Sequence, residues 1–359
     1  MKFLINRTDA IGDNILTMPM ARALKEHFPE CQVAVITSKR VGEIYENHPY
    51  IDKYFILNKN DSFFKKFYRS MMIFKIFRPS HYFFVGGSHV PSLVAFLRGI
   101  GFRGGLKSKW QTFLFLKDGV RQKRSIVAMH ESEYNLELLR PLIDNIHAKE
   151  LYRPHIEVTT EEVEKAWHLF QDECTNKGIR INSELVVIHP GMTGHTLNWS
   201  SRNYGRLITR LIQRYPGKFT FVISHTPSDE RFLKGLREEL MLFDDICKDS
   251  VYFFDGSVHG LRNYMAFLTK CRLFIGPSTG TTHIANVLGL KTIALYSPIK
   301  VQSAARWRPF NSDKLKVLVP DVVCGEQFEC AKEACPYYEC MAKIEVDDVI
   351  NVIKNMLEF

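Results

Sequence analysis

Short apolar runs of strand length alternate with stretches of helical periodicity in the first part of the chain. The apolar runs lie at 2–6, 32–37, 54–57 and 82–85. The helical stretches lie at 13–28, 41–47, 61–78 and 128–145. Strands that alternate with helices pair in parallel through right-handed crossovers, so this order predicts a doubly wound parallel sheet.

The alternation of strand and helix begins again near residue 185. The predicted strands lie at 185–189, 219–223, 273–275 and 292–296. The predicted helices lie at 160–176, 202–214 and 229–240. We therefore predict an α/β protein of two Rossmann-like doubly wound domains, at 1–160 and 161–345. A final helix at 346–359 has one apolar face and is predicted to pack back on the N-terminal domain.

Two short loops that follow predicted strands, at 7–13 and 276–283, are the first candidates for a site. Ligands of open α/β sheets bind beyond the carboxyl ends of the strands, so we expect these loops to face each other across a cleft between the domains. In the first loop, Asp13 directly follows Gly12. Its position alone favours a helix N-cap over a general base. Asp9 is equally well explained as a turn residue.

The loop at 276–283 reads Gly-Pro-Ser-Thr-Gly-Thr-Thr-His and precedes a predicted helix. Unpaired N–H groups and the positive end of a helix dipole suit a phosphate ligand there. The structural alternative is that Ser278 or Thr279 only caps the helix. The turn at 189–194, His-Pro-Gly-Met-Thr-Gly, also follows a strand and is a weaker candidate for phosphate binding.

Composition and charge restrict the class of protein. Of the 359 residues, 45% are hydrophobic and 24% are charged, as in a globular protein without membrane spans. Charge appears too early at the N-terminus for a secretion signal, so we expect a cytoplasmic protein. Residues 59–124 hold 14 Lys or Arg and 2 Asp or Glu. This block indicates either an anionic partner or simply a solvated basic face.

Four segments occur in a fixed order and spacing. They are 7–19; His189-Pro-Gly191 with Trp199 and Asn203-Tyr204; 276–280 with His283-Ile-Ala and Leu295-Tyr-Ser-Pro298; and Cys335-Pro336 with Cys340-Met341 and Ile344. Together they resemble glycosyltransferase family 9, whose best-known members are the ADP-heptose:lipopolysaccharide heptosyltransferases. The resemblance extends from residue 1 to about residue 345.

The resemblance implies a GT-B fold, with the acceptor held mainly by the first domain and a nucleotide-sugar donor mainly by the second. It implies inverting, metal-independent transfer of a heptose-like sugar from ADP-heptose to a lipopolysaccharide core or related surface glycan. It also implies that no cofactor is required for catalysis. Asp13 becomes the catalytic base, which reverses the preference for a cap. The implied donor-binding residues are Thr193, Gly194, Arg202, Ser278, Thr279, Gly280, Thr281, Thr282 and His283.

Two positions depart from the pattern of the family. Leu197 stands where a lysine is usual near the donor phosphates, and Ser278 stands where an aspartate is usual. Losing a cation at the leaving group removes an interaction of roughly a few kcal/mol. Arg202 and His195 are candidates to replace it. Transfer of heptose to a protein acceptor, and a non-catalytic sugar-nucleotide-binding role, therefore remain alternatives.

The basic block gains an interpretation from the resemblance. Residues 63–78 mix aromatic and cationic side chains, as in segments that lie on anionic membranes and bind lipid-linked phosphorylated glycans. We expect peripheral association with the inner membrane, and no nucleic-acid partner because no DNA- or RNA-reading motif is present. The candidates for acceptor or membrane contact are Lys65, Lys66, Arg69, Lys107, Lys109, Arg121, Lys123 and Arg124. Alternatively, the apolar residues are core and only the charges face solvent.

Four cysteines cluster near the C-terminus: Cys324, Cys330, Cys335 and Cys340. Their spacing is not that of a paired Cys-x2-Cys zinc site. A structural metal, disulfides and reduced thiols remain open, although a cytoplasmic location disfavours disulfides.

Overall fold

The computed structural model describes residues 1–144, 146, 151–192 and 196–359. It divides into two compact units, Met1–Glu157 and Val158–Phe359. Each unit is built around its own six-stranded sheet.

The first unit has the strand order β3-β2-β1-β4-β5-β6, and every neighbouring pair is parallel. The strands are β1 Lys2–Arg7, β2 Gln32–Thr37, β3 Lys53–Ile56, β4 His81–Gly86, β5 Phe102–Leu106 and β6 Asp118–Val120. The helices are α1 Ile11–Ile15, α2 Met18–His27, α3 Phe63–Phe77, α4 Val90–Leu97, α5 Trp110–Phe115 and α6 Glu131–Leu136. This is the strand order of a dinucleotide-binding Rossmann sheet.

The second unit has the order β12-β11-β10-β7-β8-β9, which is the same topology, and its pairs are also parallel. The strands are β7 Glu184–Ile188, β8 Phe219–His225, β9 Val251–Asp255, β10 Leu273–Pro277, β11 Lys291–Leu295 and β12 Leu315–Leu318. The helices are α7 Thr160–Asn176, α8 Ser201–Arg214, α9 Lys234–Met241, α10 Asp244–Cys247, α11 Gly256–Leu268, α12 Gly280–Val287, α13 Ala304–Trp307 and α14 Val346–Leu357. Two doubly wound parallel sheets are thereby confirmed.

Some predicted elements differ from the structure. The helix predicted at 13–28 is divided into α1 and α2, with Pro19 in the first turn of α2, where its missing N–H costs nothing. Strand β5 escaped prediction because glycines are unfavourable in strands. Gly105 has φ +119°, and a Cβ there would lie 2.0 Å from the Phe84 carbonyl oxygen. Only glycine therefore allows β5 to approach β4 at this point.

The apolar face of the C-terminal helix α14 lies in the core of the second unit, where it packs with α8. Packing of this helix on the first unit stays a prediction. Just before α14, the Ile344 carbonyl accepts a hydrogen bond from Trp199 Nε1 at 2.8 Å. Trp199 is 2% exposed, so the C-terminal tail is fixed to the second unit by a buried contact.

A buried histidine in the first unit gives a testable pH dependence. His48 Nδ1 accepts from the Tyr50 N–H at 3.1 Å, and its ring lies 5.9 Å from that of His155. Burial, and secondarily the charge of His155, lowers the pKa of His48 from 6.5 to about 3. The unfolded chain therefore binds a proton that the folded chain excludes. The contribution of neutral His48 to the free energy of unfolding is fully present above pH 6.5 and is lost as the pH falls towards 3.

We expect His48→Asn to flatten this acid-side loss, because the asparagine Oδ1 still accepts from Tyr50 N–H and does not titrate. The effect should be roughly 2–4 kcal/mol between the two pKa values. The measurement is the free energy of unfolding by denaturant at several pH values. His168→Asn, at an exposed position, is the control. An unchanged acid slope in His48→Asn would contradict the assignment.

Candidate active site

Both sheets have a point where the chain reverses its direction of winding. In the first sheet this lies between β1 and β4, and in the second between β7 and β10. The loops that follow these paired strands diverge and leave a crevice at the carboxyl edge, where ligands of such sheets bind. The predicted loops at 7–13, 189–194 and 276–283 all follow one of these four strands. The sheet topology therefore supports all three as candidates.

The loop after β1 is held against the end of β4. Asn6 Nδ2 donates to the carbonyl oxygens of Gly86 and Ser88 at 3.1 and 3.0 Å, and the Ser88 N–H donates to Thr8 Oγ1 at 2.8 Å. A Cβ on Gly86 would lie 2.4 Å from an Asp9 oxygen. Gly87 has φ +82°, and a Cβ there would lie 2.1 Å from Thr8 Oγ1. The two glycines are therefore required for this approach.

Asp13 lies in the first turn of α1 and does not cap the helix, since the N-cap is Ala10. Arg7 Nη2 donates to Asp13 Oδ1. Within the described part of the chain, Asp13 Oδ2 has no hydrogen-bond partner, and the side chain is 23% exposed. Asn14, which is fully buried, fixes α1 by accepting from Thr37 Oγ1 and Tyr45 OH. Asp13 is thus a fixed carboxylate with one oxygen accessible to a ligand.

Arg7 is the centre of a buried charged cluster that the sequence did not reveal. Its side chain is 5% exposed; Nε lies 3.1 Å from Asp9 Oδ2, and Nη2 lies 3.9 Å from Glu131 Oε1. Glu131 is also paired with Arg124. Burial alone would lower the pKa of Arg7, but the charges of Asp13, Asp9 and Glu131 outweigh it and raise the pKa. Two guanidinium groups thus face three carboxylates, and a negative charge remains in excess.

Lysines lie near this cluster and near His89. Burial raises the pKa of Asp9, and the charge of Asp13 adds to it, whereas Arg7, Lys59 and Lys109 oppose it. Burial lowers the pKa of His89, and the charges of Lys109 and Lys66 lower it further. Lys66 and Lys109, both predicted as contact residues, therefore lie near the loop after β1. Lys59 was missed because it stands in a short loop without a motif.

The other residues predicted to contact the acceptor or the membrane are either bonded to neighbouring groups or exposed, with one exception. Lys65 and Arg69 pair with Asp61 at 3.0 and 3.5 Å. Lys107 Nζ donates to the Lys117 carbonyl oxygen at 3.4 Å. Arg121 and Lys123 are exposed. Arg124 is not a surface cation: its side chain is 10% exposed and belongs to the Arg7 cluster.

In the second unit, the loop after β10 leads into α12, whose N-cap is Thr279. The Thr279 hydroxyl does not cap the helix; it contacts the Thr281 and Thr282 hydroxyls at 2.8 and 3.3 Å. Thr282 Oγ1 donates to the Pro277 carbonyl oxygen at 2.6 Å. The hydroxyls therefore bond mainly to one another and to backbone. The backbone N–H groups of the first turn, from Gly280 to Thr282, remain for an anion.

Ser278 and His283 flank this helix start. Ser278 is half-buried and hydrogen-bonds Tyr296, whose hydroxyl also donates to the Trp307 carbonyl oxygen at 2.6 Å. Burial raises the pKa of Tyr296, while Ser278 and the charge of Arg308 oppose it. His283 is buried, at 4% exposed. Ser278 therefore has a structural partner of its own, and Arg308 is a nearby cation that no sequence motif indicated.

The loop after β7 begins at His189, which contacts strand β8. His189 Nδ1 lies 2.9 Å from the Ser224 carbonyl oxygen and 3.0 Å from its hydroxyl. The predicted residues Thr193 and Gly194, and the substitute cation His195, lie outside the described residues. Arg202 pairs with Glu238 at 2.6 Å on the surface of α8, and its side chain is 52% exposed. Leu197 packs against the core of the second unit.

Gly191 gives a prediction for this loop. A Cβ there would lie 2.4 Å from the Asp229 carboxyl group, which is buried and bonded to Thr226. We expect Gly191→Ala to displace the loop, to destabilise the protein by about 1–3 kcal/mol, and to weaken ligand binding there. Thermal unfolding and ligand titration measure both. Gly256→Ala, where the nearest atom to a new Cβ is 3.6 Å away, is the control. Equal behaviour of the two variants would refute the steric argument.

The four C-terminal cysteines are free thiols, of which Cys340 is buried and the other three are half-buried. Burial raises the pKa of Cys340, as do the charges of the other three thiols. Among the residues that the structure describes, no three His, Cys, Asp or Glu side chains are arranged to hold a metal ion. A structural metal at these cysteines remains an untested prediction.

Known proteins share both the sequence pattern and the fold. The model of glycosyltransferase family 9 (heptosyltransferase) matches residues 87–337. A candidate glycosyltransferase of Haemophilus influenzae is 26% identical over 86% of this chain and 86% of its own. Lipooligosaccharide heptosyltransferase 2 of Campylobacter jejuni is 20% identical over 100% of this chain and 99% of its own.

Among solved structures, the ADP-heptose lipopolysaccharide heptosyltransferase II of Escherichia coli has a TM-score of 0.76 to this chain at 17% identity. The match covers 99% of this chain and 98% of that one, and it confirms the expected GT-B fold class. The matched residues include strands β5 and β6 of the first sheet and all six strands of the second sheet. The chain belongs to glycosyltransferase family 9.

Proposed function

We propose that this glycosyltransferase is an inverting, metal-independent heptosyltransferase that uses ADP-heptose and extends a lipopolysaccharide core or a related surface glycan. The observation that supports it most is Asp13, a fixed carboxylate with one oxygen bound by Arg7 and the other accessible at the crevice of the first sheet. The names of the Campylobacter and Escherichia relatives support the choice of sugar and acceptor.

The proposed reaction needs one proton transfer and one displacement. Asp13 Oδ2 takes the proton from an acceptor hydroxyl, whose oxygen attacks the anomeric carbon as the bond to the nucleoside diphosphate breaks. Attack from the face opposite the leaving group inverts the configuration. Arg7 keeps the carboxylate oriented, because it holds Oδ1 while Oδ2 meets the substrate.

The leaving diphosphate is proposed to bind at the start of α12. The first-turn N–H groups at 280–282 and the helix dipole supply positive potential where negative charge develops, so the proposal requires no metal ion. Ser278, held by Tyr296, replaces the acidic residue usual in the family and reduces negative charge beside the diphosphate. That change offsets part of the loss of the lysine at Leu197.

The acceptor is proposed to be anionic and to be held by the first unit at the inner face of the membrane. Lys59, Lys66 and Lys109 act electrostatically on Asp9 and His89, next to the loop that carries Asp13. A phosphorylated glycan would be drawn to these lysines while its hydroxyl lies at Asp13. Among the described residues, no helix has the length and apolar content needed to cross a bilayer.

The proposal is tested by ligand-induced stabilisation followed by a transfer assay. A ligand that binds only the native state raises stability by about 2.7 kcal/mol at 100 times its dissociation constant. We expect ADP and ADP-heptose, but not the diphosphates of uridine, guanosine or cytidine, to raise the melting temperature. Failure of every nucleotide would refute the proposal. Binding without transfer to any glycan would instead favour the non-catalytic or protein-acceptor alternative.

A further inference from the structure

Helix α3 has two apolar faces. One contains Ile73, Phe74 and Phe77 and is buried in the core of the first unit. The other is a stripe at four-residue spacing that is exposed to solvent: Phe64 is 82% exposed, Tyr68 66%, Met72 37% and Ile76 61%. Residues four apart lie on one side of a helix, so these four side chains form a continuous row. Burial in the core explains only the first face.

The neighbouring helices extend this exposed apolar surface. Helix α3 packs on α4, and α4 packs on α5. The exposed large apolar residues of α4 and α5 are Phe96, Leu97, Trp110, Phe113 and Leu114, and Trp110 is the most exposed of them at 71%. Half of the exposed large apolar side chains of the described chain lie between Phe63 and Ile126. A solvated basic face does not require this concentration of apolar side chains.

The same segment has a strong excess of basic over acidic residues. Residues 59–124 hold 14 basic and 2 acidic residues. Lys75 lies beside the exposed stripe, and Arg98 and Lys117 are exposed at the ends of α4 and α5. Within the part of the chain that the structure describes, none of these three forms an ion pair. Apolar side chains flanked by uncompensated cations match the chemistry of an anionic bilayer surface.

The surface begins at the catalytic edge of the first sheet. All strands of that sheet are parallel, and α3 follows β3 while α5 follows β5. The first residues of both helices, Phe63 and Trp110, therefore lie at the carboxyl edge of the sheet, as Asp13 does. Lys109, directly before Trp110, acts electrostatically on Asp9. The exposed apolar surface is thus continuous with the lysines near the loop after β1.

We propose that the α3 stripe, together with the exposed apolar residues of α4 and α5, is a docking surface for an anionic lipid bilayer. The rings and aliphatic chains insert to the depth of the headgroups, and the lysines and arginines contact lipid phosphates. This inference rests on the proposed function and deepens it by naming the surface of the first unit that brings the enzyme to its acceptor. A nucleic acid would contact the cations and the aromatic rings, but it would not bury aliphatic side chains such as Met72, Ile76 and Leu114.

The test is sedimentation of the full chain with vesicles of phosphatidylcholine alone, or of phosphatidylcholine and phosphatidylglycerol in equal amounts. We expect binding to the anionic vesicles only, weakened but not abolished by added salt. The triple variant Phe64→Ser, Tyr68→Ser, Ile76→Ser should lose on the order of tenfold in affinity. The matched control is Met241→Ser with Leu242→Ser, two residues of the second unit that are each 74% exposed; it should bind like the parent chain.

Tryptophan fluorescence provides a second readout. Anionic vesicles should shift the emission to the blue, and Trp110→Phe should remove most of the shift. Parent-like vesicle binding by the triple variant, equal binding to neutral vesicles, or binding to RNA in place of vesicles would each overturn the proposal. Nucleotide-induced stabilisation should be unchanged in the triple variant, so failure of membrane docking is distinguishable from failure of the transferase assignment.

Discussion

Asp13→Asn is expected to lower kcat by about 10²–10⁴-fold while leaving the fold and donor binding intact. The asparagine Oδ1 can still accept the hydrogen bond from Arg7, so the loop keeps its geometry. The substitution also removes one negative charge from a cluster in which three carboxylates face two guanidinium groups. Stability should therefore be unchanged or slightly higher. The measurements are single-turnover transfer rates and thermal unfolding with and without ADP.

The control for this prediction is Asp9→Asn. Asp9 is bound to the same guanidinium group, at 3.1 Å from Arg7 Nε. The Asp9→Asn substitution therefore removes a negative charge from the same cluster. If the carboxylate of Asp13 acts as a base, the Asp9 variant should retain kcat within about tenfold, since it still has that base. If both variants lost kcat equally, the charge of the cluster would be responsible, and not a base at Asp13. Near-parental turnover of Asp13→Asn would refute the mechanism.

The sequence was enough to predict the loops of the candidate site because their chemistry is local. Glycine and hydroxyl residues after an apolar run indicate a tight turn at the carboxyl end of a strand, and Asp13 and Thr279 both stand where such a turn leads into a helix. The alternation of strand and helix then fixes the doubly wound topology. That topology brings the loop after β1 next to the loop after β4, and the loop after β7 next to the loop after β10.

The interactions of these side chains were beyond prediction because they join distant parts of the chain. Nothing near Arg7 indicates that Glu131 will lie 3.9 Å away, or that Arg124 will join the same buried cluster rather than the surface. Helix α3 was ambiguous for a related reason. A helix with one buried and one exposed apolar face has no single amphipathic stripe, and only burial separates the two sets of residues.

In the proposed mechanism Arg7 is a positioning residue, and both its charge and its shape contribute. It donates to Asp13 Oδ1 and to the Val85 carbonyl oxygen, and its Nε faces Asp9. A lysine ammonium is a point charge that cannot span these acceptors in the same plane. We expect Arg7→Lys to lower kcat at least about tenfold with little change in donor affinity, and to cost about 1–3 kcal/mol of stability.

Arg7→Met should be more severe, because Asp9 and Asp13 lose their counter-charge while Glu131 keeps Arg124. The free energy of unfolding should fall by about 3 kcal/mol. This is at the lower end of the range for a broken buried ion pair, because both aspartates are partly exposed. Adding Asp9→Asn removes one unpaired charge and should restore part of the stability. It should not restore kcat, because Asp13 Oδ1 remains unheld. Denaturant unfolding and single-turnover transfer separate the two effects: if kcat recovers together with stability, Arg7 serves only the fold, and the positioning role is wrong.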